Sequence, residues 1–121
     1  MPHFVIEYSR NIEETTDLSA VMAAAHDAGA ESGIMNPADI KVRATAYDVF
    51  RFAGNIESFI HVTVSLLEGR TDEQKEHLAM LLRERLVRCC PTVDSISIDI
   101  RDMNAAAYKK RLLHPLTVHT A

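Results

Sequence analysis

One pattern, repeated twice, constrains this chain more than any other: an alternating run, a helical run, then a second alternating run. In the first half, His3 to Tyr8 is a short β-rich stretch. Thr15, Thr16 and Asp17 offer caps for a helix with Leu18, Val21, Met22 and Ala25 on one face, and Gly33 marks its end. After Pro37, Ile40, Val42, Ala44 and Ala46 point one way while Lys41, Arg43, Thr45 and Tyr47 point the other, which sets two cations on one strand face. The second half repeats the order. Ile60, Val62, Val64 and Leu66 alternate with His61, Thr63, Ser65 and Leu67, and the strand breaks at Gly69 and Arg70. Thr71 with Gln74 fits a capping box, and Asp72 and Glu73 suit the positive end of the helix dipole. Leu78, Leu81, Leu82, Leu86 and Cys89 form the buried stripe of that helix, and Pro91 ends it. A last strand alternates Ile96, Ile98 and Ile100 with Ser97 and Asp99, and a polar tail follows from Arg101.

Each crossover is long enough for its two strands to pair in parallel, so the fold class expected is α/β (α+β). Two β-α-β repeats would form one four-stranded sheet with both helices on one face. The expected organisation is a single domain over 1–121: repeat one about 2–49, repeat two about 59–103, and a tail over 104–121. Phe50 to Ser58 joins the halves. The other sheet face would carry His61, Thr63, Ser65 and Leu67 beside Lys41, Arg43 and Tyr47. That surface is too mixed for bare solvent and too polar for a second core, and oligomerisation is its natural cover.

Composition narrows the function classes. At 121 residues, with 47% hydrophobic and 25% charged residues, the chain can bury an ordinary core. A formal net charge of −4 argues against a nucleic-acid partner, because the longest basic cluster is only Lys109-Lys110-Arg111. No apolar run approaches the ~20 residues of a membrane span, and the N-terminus does not read as a signal peptide, so no membrane partner and a cytoplasmic location are expected. The two cysteines, Cys89 and Cys90, are neighbours and cannot make a cross-linking framework, which suits a reducing compartment. The histidines at 3, 26, 61, 77, 114 and 119 are scattered and point to no metal site.

Pro2 is the candidate with the most chemistry. If Met1 is trimmed, the chain starts with a secondary amine able to take up and release a proton. With Met1 in place the same nitrogen is a tertiary amide, without basicity and without an N–H. A base working near neutrality needs a pKa close to the working pH, and burial or neighbouring cations would bring an amine down toward it. Arg70 could supply such a charge and also grip a carboxylate through its planar fork.

Two stretches resemble a known family. Met1-Pro2-His3-Phe4-Val5-Ile6-Glu7-Tyr8 looks like the start of the tautomerase superfamily, whose members use an amino-terminal proline as acid and base. Leu67-Glu68-Gly69-Arg70-Thr71-Asp72-Glu73-Gln74 resembles the strand-to-helix junction of the 4-oxalocrotonate tautomerases, including their catalytic arginine. Length, the turn at Gly33-Ile34 and the closing segments Arg101-Asp102-Met103 and Tyr108-Lys109-Lys110 are most similar to the 5-carboxymethyl-2-hydroxymuconate isomerases. The resemblance implies a cofactor-independent homotrimer acting on a small-molecule carboxylate in bacterial degradation of aromatic acids such as homoprotocatechuate. Pro2 and Arg70 would be catalytic, and Lys41 or Arg43 would supply a second, substrate-binding cation where relatives carry arginine. Each half of the chain keeps one catalytic piece, so the amine of one repeat and the guanidinium of the other must meet, within a chain or across a subunit boundary. Other chemistries on the same scaffold, such as phenylpyruvate tautomerisation, decarboxylation or dehalogenation, and a non-catalytic trimeric binding protein, share these residues.

Overall fold

The computed structural model describes residues 1–114. His119 and the end of the C-terminal tail lie outside the described residues. Four strands and two helices follow in the order β1 (His3–Ser9), α1 (Leu18–Glu31), β2 (Lys41–Tyr47), β3 (Phe59–Leu67), α2 (Asp72–Cys89) and β4 (Ser95–Met103). Short 3₁₀ turns at Arg10–Glu14 and Pro37–Asp39 fill out the connections. The sheet order is β2-β1-β3-β4. Within each half the strands are parallel, as the crossovers require, and the halves meet through an antiparallel β1/β3 pair.

The alternation decides the faces. Phe4, Ile6, Ile60, Val62, Val64 and Leu66 are fully buried and share one core with Val21, Ala25 and Ala28 of α1 and Leu78, Leu82 and Leu86 of α2. Those strand residues have one parity, so both helices cover the same side of the sheet. Burying each of the large side chains stabilises the fold by roughly 1.5–3 kcal/mol before entropy is set against it. Leu81 and Cys89 pack only partly against this core, and the fully buried cysteine is Cys90, just past the helix end. β4 runs three residues past Ile100, through Arg101, Asp102 and Met103, where a polar tail was expected, and Glu68 N–H donates to Met103 O at its end.

Local chemistry explains the boundaries. Asp17 is the residue that caps α1, its carboxylate accepting from Ser19 N–H at 3.0 Å. The capping box at Thr71 and Gln74 is complete in both directions. α1 ends at Glu31, and Gly33 then turns with a φ of +76° that a side chain would resist. Gly69 does the same at +124° between β3 and Arg70. Among the described residues, no helix is long and apolar enough to cross a membrane.

The uncovered face repeats in rows across the strands: Lys41, His3, Ser65 and Arg101; then Arg43, Val5, Thr63 and Asp99; then Thr45, Glu7, His61 and Ser97. Its end nearest Pro2 is the cationic end.

Candidate active site at the N-terminus

The first residues of the chain lie where both halves meet. Pro2 is fully buried, and its carbonyl accepts the Lys41 N–H at 3.1 Å, which docks the chain start onto β2. The terminal amine on Met1 is held below its ordinary value of 8.0. Burial is the largest cause; Asp39 opposes it, and Arg70, Lys110 and Lys41 each add to the lowering. A nitrogen at this point therefore sits among cations contributed by β2, the β3–α2 junction and the C-terminal segment of the same chain.

Arg70, half-buried, is held by main-chain carbonyls. Its Nε and Nη2 donate to Ile34 O at 3.1 and 2.7 Å, and its Nη1 donates to Leu67 O at 2.9 Å. Three of its five N–H groups are thus committed, which fixes the plane of the guanidinium and leaves two for a ligand. The spacing of the sequence offered no sign of this anchorage, since Ile34 lies 36 residues away on the turn after α1. The Gly33-Ile34 turn was legible as a turn, but nothing in the sequence says that its carbonyl would hold Arg70.

Lys41 and Arg43 stand on one face of β2, as the alternation predicts, but they have different surroundings. Lys41 is half-buried, its Nζ 3.4 Å from Asp39 O, and its charge reaches the terminal amine. Arg43 is exposed and donates from Nη1 to His3 Nδ1 at 3.1 Å. His3 in turn meets the Tyr108 hydroxyl through Nε2 at 2.8 Å. Because Nδ1 must accept from an arginine, the imidazole is neutral and carries its proton on Nε2, which donates to Tyr108. Burial, first, and the neighbouring Arg43, second, push the His3 pKa below 6.5 in agreement with that tautomer. His3, Lys110 and Asp39 are neighbours to which sequence patterns assign no role of their own. Only the closing Tyr108-Lys109-Lys110 motif hinted at them.

Other hollows lie away from this cluster. One of about 580 Å³, lined by Arg10, Asn11, Glu13, Tyr47 and Asp48, sits at the opposite end of the sheet. Its size does not outweigh the chemistry gathered at Pro2, because its opposed charges pair with one another, Arg10 with Asp48 at 2.6 Å.

Comparison with known proteins gives the context of this geometry. The family model for 5-carboxymethyl-2-hydroxymuconate isomerase matches residues 2–116. The chain is 27% identical to the 5-carboxymethyl-2-hydroxymuconate Delta-isomerase of Escherichia coli, across 96% of this chain and 98% of that one. Among solved structures, a 5-carboxymethyl-2-hydroxymuconate isomerase from Deinococcus radiodurans superposes with a TM-score of 0.73 at 20% identity, covering 91% of this chain and 88% of that one. A fused 4-OT protein solved as a symmetric trimer superposes with a TM-score of 0.74, also at 20% identity, covering 95% and 94%. At these identities the two structures establish the fold, a four-stranded mixed sheet with two helices.

Proposed function

The chain belongs to the 5-carboxymethyl-2-hydroxymuconate isomerase family, and from that membership we propose that this isomerase ketonises a dienol carboxylate of the 5-carboxymethyl-2-hydroxymuconate type, with Pro2 as acid and base. The observation that carries the reading is the terminal amine's position, its pKa lowered by burial and flanked by Arg70, Lys110 and Lys41. Removal of Met1 makes the Pro2 nitrogen, three bonds along the chain from the Met1 amine, the new terminus, converting a tertiary amide into a secondary amine. The same surroundings then favour the unprotonated base.

In the first step the amine takes the proton of the enol hydroxyl. The O–H electrons become the carbonyl π bond, the conjugated double bonds shift by one position, and the distal carbon takes the proton back from the prolinium. One bond to hydrogen breaks and one forms, so the amine is regenerated and no cofactor or metal is required. Arg70, with two free N–H groups on a guanidinium of fixed plane, grips a carboxylate and stabilises the charge that spreads along the chain in the transition state. Lys41 or Arg43 supplies the second carboxylate contact. Lys41 has the better position, because its charge reaches the amine while Arg43 is engaged with His3. The working form is a cytoplasmic homotrimer, in which a neighbouring copy covers the open sheet face beside the cluster, and its setting is the bacterial breakdown of aromatic acids such as homoprotocatechuate.

Intact mass establishes whether Met1 is removed, and ultraviolet assays then follow loss of the dienol chromophore. Pro2→Ala is expected to lower kcat/KM by at least ~10²-fold, the contribution of a positioned acid-base group. Equal turnover by the two proteins, or no turnover of muconate-like or phenylpyruvate-like enols by the trimmed protein, overturns the reading.

A further inference from the structure

After β4 the chain doubles back toward its own start. Asn104 organises the turn: its carbonyl accepts from Ala107 and Tyr108 N–H at 3.1 Å each, and its side-chain oxygen accepts from Ala106 and Ala107 at 2.9 and 3.2 Å. Glu68, two residues before Arg70, accepts the Ala105 N–H at 3.0 Å and so ties the turn to the junction that bears the guanidinium. The segment then runs over the N-terminus. Tyr108 meets His3 edge-on, the ring centroids 5.7 Å apart, and Lys110 Nζ lies 2.6 Å from Met1 Sδ. Lys109, between them, is exposed and has no such contact among the described residues.

The charge count at this point exceeds what a dicarboxylate requires. Arg70 and Lys41 already provide one cation for each of two carboxylates, and Lys110, beside the Met1 thioether, adds a third. The substrate type proposed above has three carboxylates, the two of a muconate and one on its carboxymethyl branch. We propose that the Asn104–Lys110 turn is the specificity element of the site, presenting Lys110 to the third carboxylate and so selecting tricarboxylates over dicarboxylates. This inference rests on the substrate reading of the preceding subsection. Trimming of Met1 removes the thioether that Lys110 contacts and leaves the ammonium facing the vacated space. Tyr108 positions the segment through His3, and Glu68 through Ala105.

The test compares full-length, trimmed wild type with Lys110→Ala, Lys110→Arg and Lys109→Ala. Turnover is measured on 5-carboxymethyl-2-hydroxymuconate and on 2-hydroxymuconate, which lacks the third carboxylate. In parallel, calorimetry measures affinity for two unreactive acids differing by one carboxylate, propane-1,2,3-tricarboxylate and glutarate. Lys110→Ala is expected to lower the preference for tricarboxylate over dicarboxylate, in kcat/KM and in affinity, by ~5-fold, the scale of an ion pair partly open to water; any change in the basicity of the nearby amine acts on both enols alike and cancels in that ratio. Lys110→Arg keeps the preference, and Lys109→Ala behaves as wild type. Equal weakening toward both classes, no change toward either, or the same loss from Lys109→Ala overturns the proposal. A wild type that turns over neither enol, yet prefers the tricarboxylate acid through Lys110, refutes the activity and keeps the selectivity. A wild type that turns over both enols with a preference indifferent to Lys110 does the reverse.

Discussion

Gly29 stands in the last turn of α1, where alanine would ordinarily be the better helix former by ~1 kcal/mol. A Cβ there would lie 2.8 Å from Phe4 Cζ, 3.0 Å from Ile40 Cδ1 and 3.2 Å from Met35 Sδ. Phe4 is fully buried and has nowhere to tilt. Overpacking typically costs ~1–3 kcal/mol, so Gly29→Ala is expected to destabilise by ~1 kcal/mol net, read as a lower denaturant midpoint. A raised midpoint would mean that α1 can move away from β1 at no cost. His3 gives a second prediction at this scale. Its folded pKa lies below the 6.5 of an unfolded histidine, so the unfolded chain takes up the proton first as pH falls. The neutral, Arg43- and Tyr108-bound form is fully stabilising above 6.5, and that stability is lost as pH drops from 6.5 toward the folded value. His3→Asn should therefore flatten the decline in thermal midpoint between about pH 7.5 and about pH 5 relative to wild type, while carboxylates titrate alike in both. Equal declines in the two proteins would remove His3 as the cause.

At the scale of the elements, α2 has two jobs. Its stripe of Leu78, Leu82 and Leu86 fills the core, and its capped start fixes the residue just before it, Arg70. The two jobs separate by mutation. Leu82→Ala removes a fully buried side chain from the middle of the stripe and is expected to cost ~2–5 kcal/mol of stability with the folded fraction still active. Thr71→Ala removes the arm in which Gln74 N–H donates to Thr71 Oγ1, keeps the one from the residue-71 backbone N–H to Gln74 Oε1, and should cost only ~1 kcal/mol, but it loosens the junction whose geometry aims the guanidinium. The measurement is kcat/KM per folded molecule beside chemical denaturation; if Thr71→Ala lost stability alone, the cap would matter only to the helix.

Across the whole molecule, the uncovered sheet face and the loop after β2 point to association. Val5 stands mid-face between Arg43 and Thr63, and Val49 at 90% exposure, with Phe52 stacked on Phe59 at 4.9 Å, leaves apolar surface at the other end. Contiguous apolar surface rimmed by polar groups is characteristic of interfaces. The trimer proposed above predicts a species of three chain masses in sedimentation velocity. Val5→Lys, which adds a like charge beside Arg43, should shift it toward monomer and lower turnover in step. A monomeric wild type with full activity would exclude any need for a neighbouring copy.

The sequence by itself determined the elements and the faces they present, because a period of two or of 3.6 residues, a cap and a positive-φ glycine are local properties that survive in any surroundings. It also marked Pro2 and Arg70, since residues 1–8 and 67–74 keep recognisable local patterns. Only the tertiary structure decided what gathers at the chain start. Arg70 reaches the Ile34 carbonyl across 36 residues and Tyr108 reaches His3 across 105, contacts with no periodicity to announce them. The order β2-β1-β3-β4 brings those segments to one end of the sheet, and burial together with three cations then depresses the basicity of the nitrogen found there. Strand pairing is fixed by short-range pattern, but a site's electrostatics depends on every charge that folding brings near.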